Sequence, residues 1–306
     1  MLEIYFKTLR DLEFKQIQDI RAGSWIYAKE ANLEDLARIT AITGIDIADI
    51  RDSLDKYELP RIEHVEENAI FFVRHPCEPD MDLYTETLTM ILTHSFVIAI
   101  SPTRSEIIEH LISGNTNLTT TQKSKLILHI LLRITQEYTN SIKKIRHSIL
   151  GLEMGTSPVD SNAISILTKN EEILNQYLTS IVPMRNLFQT MASGRYVNLY
   201  EKDLDLLEDL MIAMKQSEDI CRVNIKSIRS LRDSYHIIFT NNVNRTIKLL
   251  TALTIIFSIP TIIASLYGMN VPLPFQTKPY AFILILGITA VASALAITWF
   301  KSKRWF

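Results

Sequence analysis

The sequence is poor in cysteine and glycine, and each shortage excludes a class of site. Its two cysteines, Cys77 and Cys221, lie far apart without a CxxC spacing, which argues against a redox motif or a thiolate zinc site. The eight glycines form no GxGxxG, GxxxxGKS/T or GxSxG pattern, and HExxH does not occur. Phosphate cradles, nucleophile elbows and zincin sites are therefore not expected. We predict neither an enzyme nor a resident cofactor.

The chain also carries little net charge, because 32 basic and 34 acidic residues leave a balance of −2. A nucleic-acid partner bound through bulk positive charge is therefore not expected. Hydrophobic residues make up 47% and charged residues 22% of the 306 positions, which excludes wholesale disorder. The N-terminal segment lacks a basic stretch followed by an apolar run, so no signal peptide is predicted.

Two long uncharged runs lie near the end of the sequence, at residues 249–267 and 279–300. A bilayer core about 30 Å thick is crossed by about 20 apolar helical residues. We therefore predict membrane spans at about 249–268 and 280–300, joined by a short extracellular loop at 269–279. The alternative is a buried helical hairpin in a soluble core, which two adjacent runs of this length disfavour.

Basic residues flank the pair of spans at both outer ends. They are Arg245, Lys248, Lys301, Lys303 and Arg304. The positive-inside rule then places both termini in the cytoplasm of a multi-pass protein of the cell (plasma or inner) membrane. Aromatic residues typical of the lipid–water interface follow the second span: Trp299, Phe300, Trp305 and Phe306.

The residues before the spans divide by their periodicity. Residues 1–117 predict an α/β domain, with strands at 24–28, 69–74, 87–92 and 95–100, the last two in a hairpin. Helices are predicted after Asn32, a typical N-cap, and at 47–54 and 104–111. Residues 118–246 are helical, with one helix start at Ser157 before Pro158. No Gly or Pro interrupts 199–259, so one stalk helix is predicted to run into a transmembrane domain at 247–306. The fold class is an α+β membrane protein.

Hydroxyl residues recur along the first span at spacings of three and four, and so share one helix face. They are Thr251, Thr254, Ser258, Thr261 and Ser265. Several copies around an axis would enclose a path lined by these hydroxyls. The alternative is that small polar residues let helices pack closely. The span has no Asp, Glu or His, which disfavours a proton relay. Oxygen ligands of this kind suit a hard cation that keeps its water, such as Mg²⁺.

The end of the first span carries a recognisable motif. Gly268-Met269-Asn270 follows an apolar Pro-Thr helix and precedes a short loop, a second span and a basic tail. In this position the tripeptide resembles the CorA-type magnesium transporter family, and the layout of the whole chain agrees with it. Better-known members carry an acidic residue in the loop after the motif, whereas residues 271–278 contain no acid and one lysine.

The resemblance implies a funnel-shaped homopentamer in which the first span lines the pore. It implies that Asn270 forms a ring at the outer mouth and receives hydrated Mg²⁺, while Gly268 and Met269 shape that mouth. It places pore positions on Asn244, Ile247, Leu250, Thr254, Ser258, Thr261 and Ser265. These positions agree with the hydroxyl spacing from Thr254 to Ser265. They differ from it by one residue at Leu250, where the spacing selects Thr251. It also implies regulatory Mg²⁺ sites between subunits near Asp209 and Asp233.

Together these observations predict a divalent-cation channel or transporter, with Mg²⁺ as the first candidate and Co²⁺ or Ni²⁺ as further cargo. Cytosolic Mg²⁺ is expected to close the gate. The partners expected are other copies of the chain, membrane lipid and divalent cations. Two alternatives stay open: a Zn²⁺ or other-metal carrier of the same fold, and a non-conducting, membrane-anchored oligomeric sensor.

Overall fold

The computed structural model describes residues 2–80, 83–114, 118–154, 161–197, 199–275 and 277–305. The chain divides into two compact units, Met1–Ser230 and Leu231–Phe306. The first unit contains a β-sheet and a set of helices, and the second contains two apolar helical segments. The three-part division at residues 117 and 246 stays a prediction. Ser157, Pro158 and Phe306 lie outside the described residues.

The described strands of the first unit form one sheet. They are β1 (Leu2–Phe6), β2 (Lys15–Ile17), β3 (Trp25–Ala28), β4 (Arg61–Val65), β5 (Asn68–Asp80), β6 (Leu83–Leu92) and β7 (Val97–Ile100). Their spatial order is β2-β1-β3-β7-β6-β5-β4. β3 and β7 pair in parallel, with Trp25 opposite Val97, and the other pairings are antiparallel.

The helices follow the predicted pattern. They are α1 (Leu33–Thr43), α2 (Ile47–Ile50), a 3₁₀ turn (Arg51–Leu54), α3 (Glu106–Ser113), α4 (Lys123–Met154), α5 (Ser161–Ala192), α6 (Glu201–Tyr267) and α7 (Ala281–Ser302). The predicted cap at Asn32 is confirmed, since its side chain accepts from the Glu34 and Asp35 amides and Asp35 completes a capping box. The prediction of one helix over 47–54 is wrong, because the α-helix ends at Ile50 and a separate 3₁₀ turn, Arg51–Leu54, follows it.

The core of the first unit lies against the sheet. One cluster joins sheet residues such as Ile26, Phe72 and Ile98 to Leu36 and Ile39 of α1. α4 carries a continuous buried stripe, with these members: Ile127, Ile130, Ile134, Tyr138, Ile142, Ile145 and Ile149. The Tyr138 hydroxyl donates to the Arg74 carbonyl of β5 at 3.2 Å. The apolar spacing of three and four therefore buries α4 and fixes it to the sheet.

The stalk prediction is confirmed, because α6 continues without a break from Glu201 to Tyr267. It passes Pro260, which has no amide hydrogen to donate to the Ile256 carbonyl. α6 and α7 are both long and apolar enough to cross a membrane, and 6% of the most apolar window of each is buried. A helical hairpin in a soluble core would be mostly buried, so the exposure of these two helices disfavours that alternative.

Candidate functional site

The hydroxyls in the apolar part of α6 donate their protons within the helix. Thr254 Oγ1 donates to the Leu250 carbonyl at 2.9 Å. Ser258 Oγ donates to the Thr254 carbonyl at 2.7 Å, and Thr261 Oγ1 donates to the Phe257 carbonyl at 2.9 Å. A hydroxyl has one proton and two lone pairs. With the proton used in this way, each oxygen presents lone pairs outward, which suits a cation or the water molecules bound to it.

The side chains of these hydroxyl residues are accessible on the surface of the helix. Thr254 and Thr261 are exposed, and Ser258 is half-buried. The remaining predicted lining positions are also exposed: Asn244, Ile247, Leu250, Thr251 and Ser265. The face carries apolar side chains as well, since Leu250 is 57% exposed. A helix with this composition needs lipid or other chains around it, because large exposed apolar surface is costly in water.

At the end of α6, backbone carbonyl oxygens of the last helical turn lie close to Gly268. Its amide donates to the Ala264 carbonyl at 2.9 Å, and the Met269 amide donates to the Leu266 carbonyl at 3.3 Å. A Cβ on Gly268 would lie 3.3 Å from the Ala264 oxygen and 3.5 Å from the Ser265 oxygen. A larger residue would therefore press on the carbonyls that finish the helix.

Asn270 follows directly and is exposed, as is Met269. The loop behind them is tied back to α6 because the Tyr267 hydroxyl donates to the Pro274 carbonyl at 3.4 Å. The loop then turns into α7, with the Lys278 amide donating to the Phe275 carbonyl at 2.9 Å. The three residues of the motif thus follow directly after the end of α6. Gln276 lies outside the described residues.

The two predicted regulatory carboxylates lie far apart in sequence, and both are exposed on α6. Asp209 borders a cavity of about 410 Å³ that Asn140 and Lys143 of α4 also line. Asp233 borders a groove with His236 and Asn241. Across the described ranges, no group of three or more His, Cys, Asp or Glu side chains is placed to hold a metal ion. Asp209 and Asp233 are therefore each a single carboxylate rather than part of such a group in the described chain.

Sequence reasoning missed a charged cavity of about 390 Å³ in the first unit. Its lining includes Glu86, Arg104, Arg133 and Glu137, with His75 among its buried members. These residues come from β5, β6, α4 and the segment before α3. No local spacing links them, so only the fold could reveal the cavity. Burial lowers the pKa of His75 below its ordinary value.

The two cysteines differ in burial, since Cys77 is half-buried and Cys221 is buried. They do not form a disulfide with each other. Burial raises the pKa of the Cys221 thiol to about 12. A thiol kept protonated in this way is a packing residue rather than a nucleophile or a metal ligand.

Comparison with known proteins gives a consistent result along the chain. A sequence model of the CorA-like Mg²⁺ transporter protein family matches residues 21–304. The cobalt/magnesium transport protein CorA of Methanocaldococcus jannaschii is 23% identical over 293 residues, covering 92% of this chain and 90% of that protein. The protein of the same name from Thermotoga maritima is 21% identical over 310 residues, covering 98% of this chain and 88% of that protein.

Solved structures agree with the fold. The complete structure of the CorA magnesium transporter from Methanocaldococcus jannaschii matches with a TM-score of 0.81 at 21% sequence identity. The match covers 100% of this chain and 99% of that chain. The order of a sheet-containing unit, one long helix and a second apolar helix is therefore the fold of that structure.

Proposed function

The chain belongs to the CorA-like Mg²⁺ transporter protein family, as its Gly268-Met269-Asn270 motif predicted, and from that membership we propose that it carries Mg²⁺ through a central pore. The family is one of transporters rather than enzymes. Relatives named as cobalt/magnesium transport proteins support Co²⁺ as further cargo, and Ni²⁺ is a similar divalent ion. We place the protein in the cell membrane with both termini in the cytoplasm.

The structural observation that supports the proposal most directly is the hydroxyl face of α6. Thr254, Ser258 and Thr261 keep their protons inside the helix and present oxygen lone pairs along a span that contains no charged residue. Such a face suits a hard cation that dehydrates reluctantly. One helix cannot enclose a path, so we propose a homopentamer with this face turned inward.

In the proposed mechanism Asn270 receives the ion. An exposed amide at the end of α6 can bind the water molecules of hydrated Mg²⁺ without stripping them, which matches the ion's slow dehydration. Gly268 and Met269 hold the amide at the mouth. The membrane potential drives entry, since about 2.3 kcal/mol per charge per 100 mV gives about 4.6 kcal/mol for a divalent ion.

We also propose that cytosolic Mg²⁺ closes the gate through Asp209 and Asp233. Both carboxylates are exposed on α6 and would bind the ion together with groups from a neighbouring copy. Asp209→Asn removes the charge and keeps the shape, so half-inhibition of transport should need a higher internal Mg²⁺ concentration. Glu172→Gln is the control, because it removes one exposed charge from α5. If Asp209→Asn and wild type respond alike to internal Mg²⁺, Asp209 is not a regulatory ligand.

The transport proposal is tested by Mg²⁺ entry into proteoliposomes at an imposed membrane potential. Wild type is compared with Asn270→Ala and with Asn186→Ala, which removes an exposed amide from α5. We expect entry in wild type and in Asn186→Ala, and its loss in Asn270→Ala. Equal entry in all three would show that Asn270 is not the ion site.

The same assay separates the two alternatives. Entry of Zn²⁺ and of Co²⁺ is measured in parallel with entry of Mg²⁺. Each of the two ions is also added as a competitor of Mg²⁺ entry. Entry of Zn²⁺ without Mg²⁺ would support a carrier for another metal. Failure of all three ions in a preparation with an intact oligomer would support a non-conducting sensor.

A further inference from the structure

We propose that the C-terminal end of α7 is a binding site for the phosphate group of an anionic phospholipid. The site, named here the tail cap, comprises residues 299–305. Its cationic side chains are Lys301, Lys303 and Arg304, and its aromatic side chains are Trp299 and Trp305. This proposal requires that α7 crosses a membrane but does not depend on which ion the protein carries.

The tail cap is an ordered structure. The Trp305 amide donates to the Phe300 carbonyl and the Arg304 amide donates to the Lys301 carbonyl, each at 3.1 Å. Arg304 has a φ of 56°. Two such bonds around a left-handed residue form a Schellman motif, in which an apolar contact commonly joins the residues at the two ends. Here that contact is Trp305 on Phe300, with ring centroids 5.1 Å apart.

The residue in the left-handed position is unusual. Glycine is strongly preferred there, because an L-residue with a side chain is strained in this conformation. The chain instead holds an arginine, and its side chain is exposed. An exposed side chain adds little to packing, so an arginine in a strained backbone conformation is a candidate for a function of the guanidinium itself.

The aromatic residues set the depth of the cap in the membrane. Phe300 is 3% exposed and packs edge-on against Trp299, with ring centroids 4.9 Å apart. Tryptophan is enriched at the level of the lipid headgroups. Because Trp299 and Trp305 lie on either side of the basic residues in sequence, Lys301, Lys303 and Arg304 are placed at the same level.

The surrounding charge favours an anion. Residues 234–306 contain no Asp or Glu, so no acidic side chain of this segment repels a phosphate. Arg245 and Lys248 precede the first span, and the two-span topology returns the chain to their side of the membrane. An arginine fork suits a phosphate group. The cap is already folded, so binding loses less conformational freedom than a flexible basic tail would.

The test measures lipid bound to the purified full-length protein by native mass spectrometry, with dioleoyl phosphatidylglycerol and dioleoyl phosphatidylcholine as probes. Wild type is expected to retain phosphatidylglycerol in preference to phosphatidylcholine. Arg304→Gly removes the charge and leaves the preferred residue in the left-handed position. Its apparent affinity for phosphatidylglycerol should fall about fivefold, while its thermal unfolding temperature stays equal to wild type or rises.

Three control variants separate the effect of the Arg304 charge from other effects of a substitution. Arg304→Asn repeats the charge loss with a second residue that tolerates the left-handed conformation. Arg304→Lys keeps the charge but not the guanidinium fork, so its affinity for phosphatidylglycerol should lie between those of Arg304→Gly and wild type. Lys169→Gln removes one exposed charge from α5 in the first unit and should bind lipid as wild type does.

Two results would overturn the proposal. One is equal retention of the two lipids by wild type. The other is wild-type binding of phosphatidylglycerol by both Arg304→Gly and Arg304→Asn. A third arm adds millimolar inorganic phosphate: full displacement of the lipid would identify a site for a free anion instead, whereas persistence of the lipid supports a headgroup site.

Discussion

Glu218 of α6 and Arg185 of α5 form an ion pair in which Arg185 Nη1 lies 2.7 Å from Glu218 Oε2. The Glu218 side chain is 6% exposed and that of Arg185 is 25% exposed. Arg222 Nε donates to the other carboxylate oxygen of Glu218 at 3.1 Å. A buried carboxylate with two guanidinium partners thus joins the long helix to the helix before it in sequence.

Removing one partner should destabilise the first unit. Glu218→Leu leaves Arg185 largely buried without its carboxylate, and an uncompensated buried charge costs about 3 kcal/mol. We expect that decrease in the free energy of unfolding, measured by denaturant titration of the purified chain with circular dichroism. The double variant Arg185→Leu/Glu218→Leu should recover much of it, since both charges are gone. A wild-type value for Glu218→Leu alone would show that the pair contributes nothing.

This ion pair also shows where sequence reasoning ends. In the sequence, Glu218 interrupts the apolar stripe of α6, and the spacing of that helix could not identify Arg185, 33 positions away, as its partner. The charged cavity around His75 and Arg133 was not predicted from the sequence, because its lining residues also come from separate segments. Contacts between distant segments depend on the packing of elements, which helical or strand periodicity does not specify.

What the sequence did predict was local. The two apolar spans, the continuity of α6 and the cap at Asn32 each depend on residues within a few positions of one another, and all are confirmed. The strands β1, β2 and β4 were missed. β2 has three residues, and β4 has charged or polar residues at three of its five positions. Neither strand shows the apolar run that identified β3 and β7. The parallel pairing of β3 with β7 joins strands about 70 residues apart.

His75 provides a prediction about pH. The residue is 2% exposed, with Nδ1 at 2.9 Å from the Pro76 carbonyl oxygen and Nε2 at 3.2 Å from Ser105 Oγ. Burial lowers its pKa in the folded chain below the ordinary 6.5. The unfolded chain therefore takes up a proton near pH 6.5 that the folded chain does not. The associated stability is present above pH 6.5 and is lost as the pH falls below it.

We expect the free energy of unfolding of wild type to fall as the pH is lowered below 6.5. His75→Gln cannot take up the proton, so its free energy of unfolding should change less over this range than that of wild type. His129, whose pKa burial also lowers, remains in both proteins and contributes equally. Parallel pH profiles for the two proteins would contradict this assignment.

The role of the α6 hydroxyls in Mg²⁺ entry can be tested by comparing their removal with the removal of a matched hydroxyl on α7. Thr254→Val and Thr261→Val keep the side-chain shape and remove the oxygen that the ion's water would contact. A lost hydrogen bond of about 1 kcal/mol predicts a roughly fivefold lower rate of Mg²⁺ entry. Thr289→Val on α7 removes a hydroxyl that donates to the Ile285 carbonyl at 2.8 Å in the same manner.

We expect Thr289→Val to transport as wild type does, because α7 is not the proposed lining helix. Entry into proteoliposomes is normalised to the amount of oligomer in each preparation. If Thr289→Val lowers entry as much as the two α6 variants, the hydroxyls act through helix packing rather than through the ion. The face of α6 would then be a close-packed seam.

The charge at the proposed pore mouth provides the last prediction. Residues 268–280 contain no carboxylate, and Lys278 is exposed before α7. A cation approaching Asn270 therefore meets positive charge without a compensating acid. Lys278→Glu reverses that charge in every copy, and opposite charge raises the local cation concentration. The apparent affinity for Mg²⁺ should increase severalfold at low ionic strength, and Lys278→Gln should give a smaller increase.

The dependence on salt separates this effect from a change in shape. Screening shortens the reach of exposed charges from about 30 Å at 0.01 M to about 3 Å at 1 M ionic strength. The increase caused by Lys278→Glu should therefore disappear as sodium chloride is added, while that caused by a local rearrangement would persist. Initial rates of Mg²⁺ entry at several salt concentrations measure the difference. An affinity that is unchanged at low salt would show that Lys278 lies too far from the ion's path to influence it.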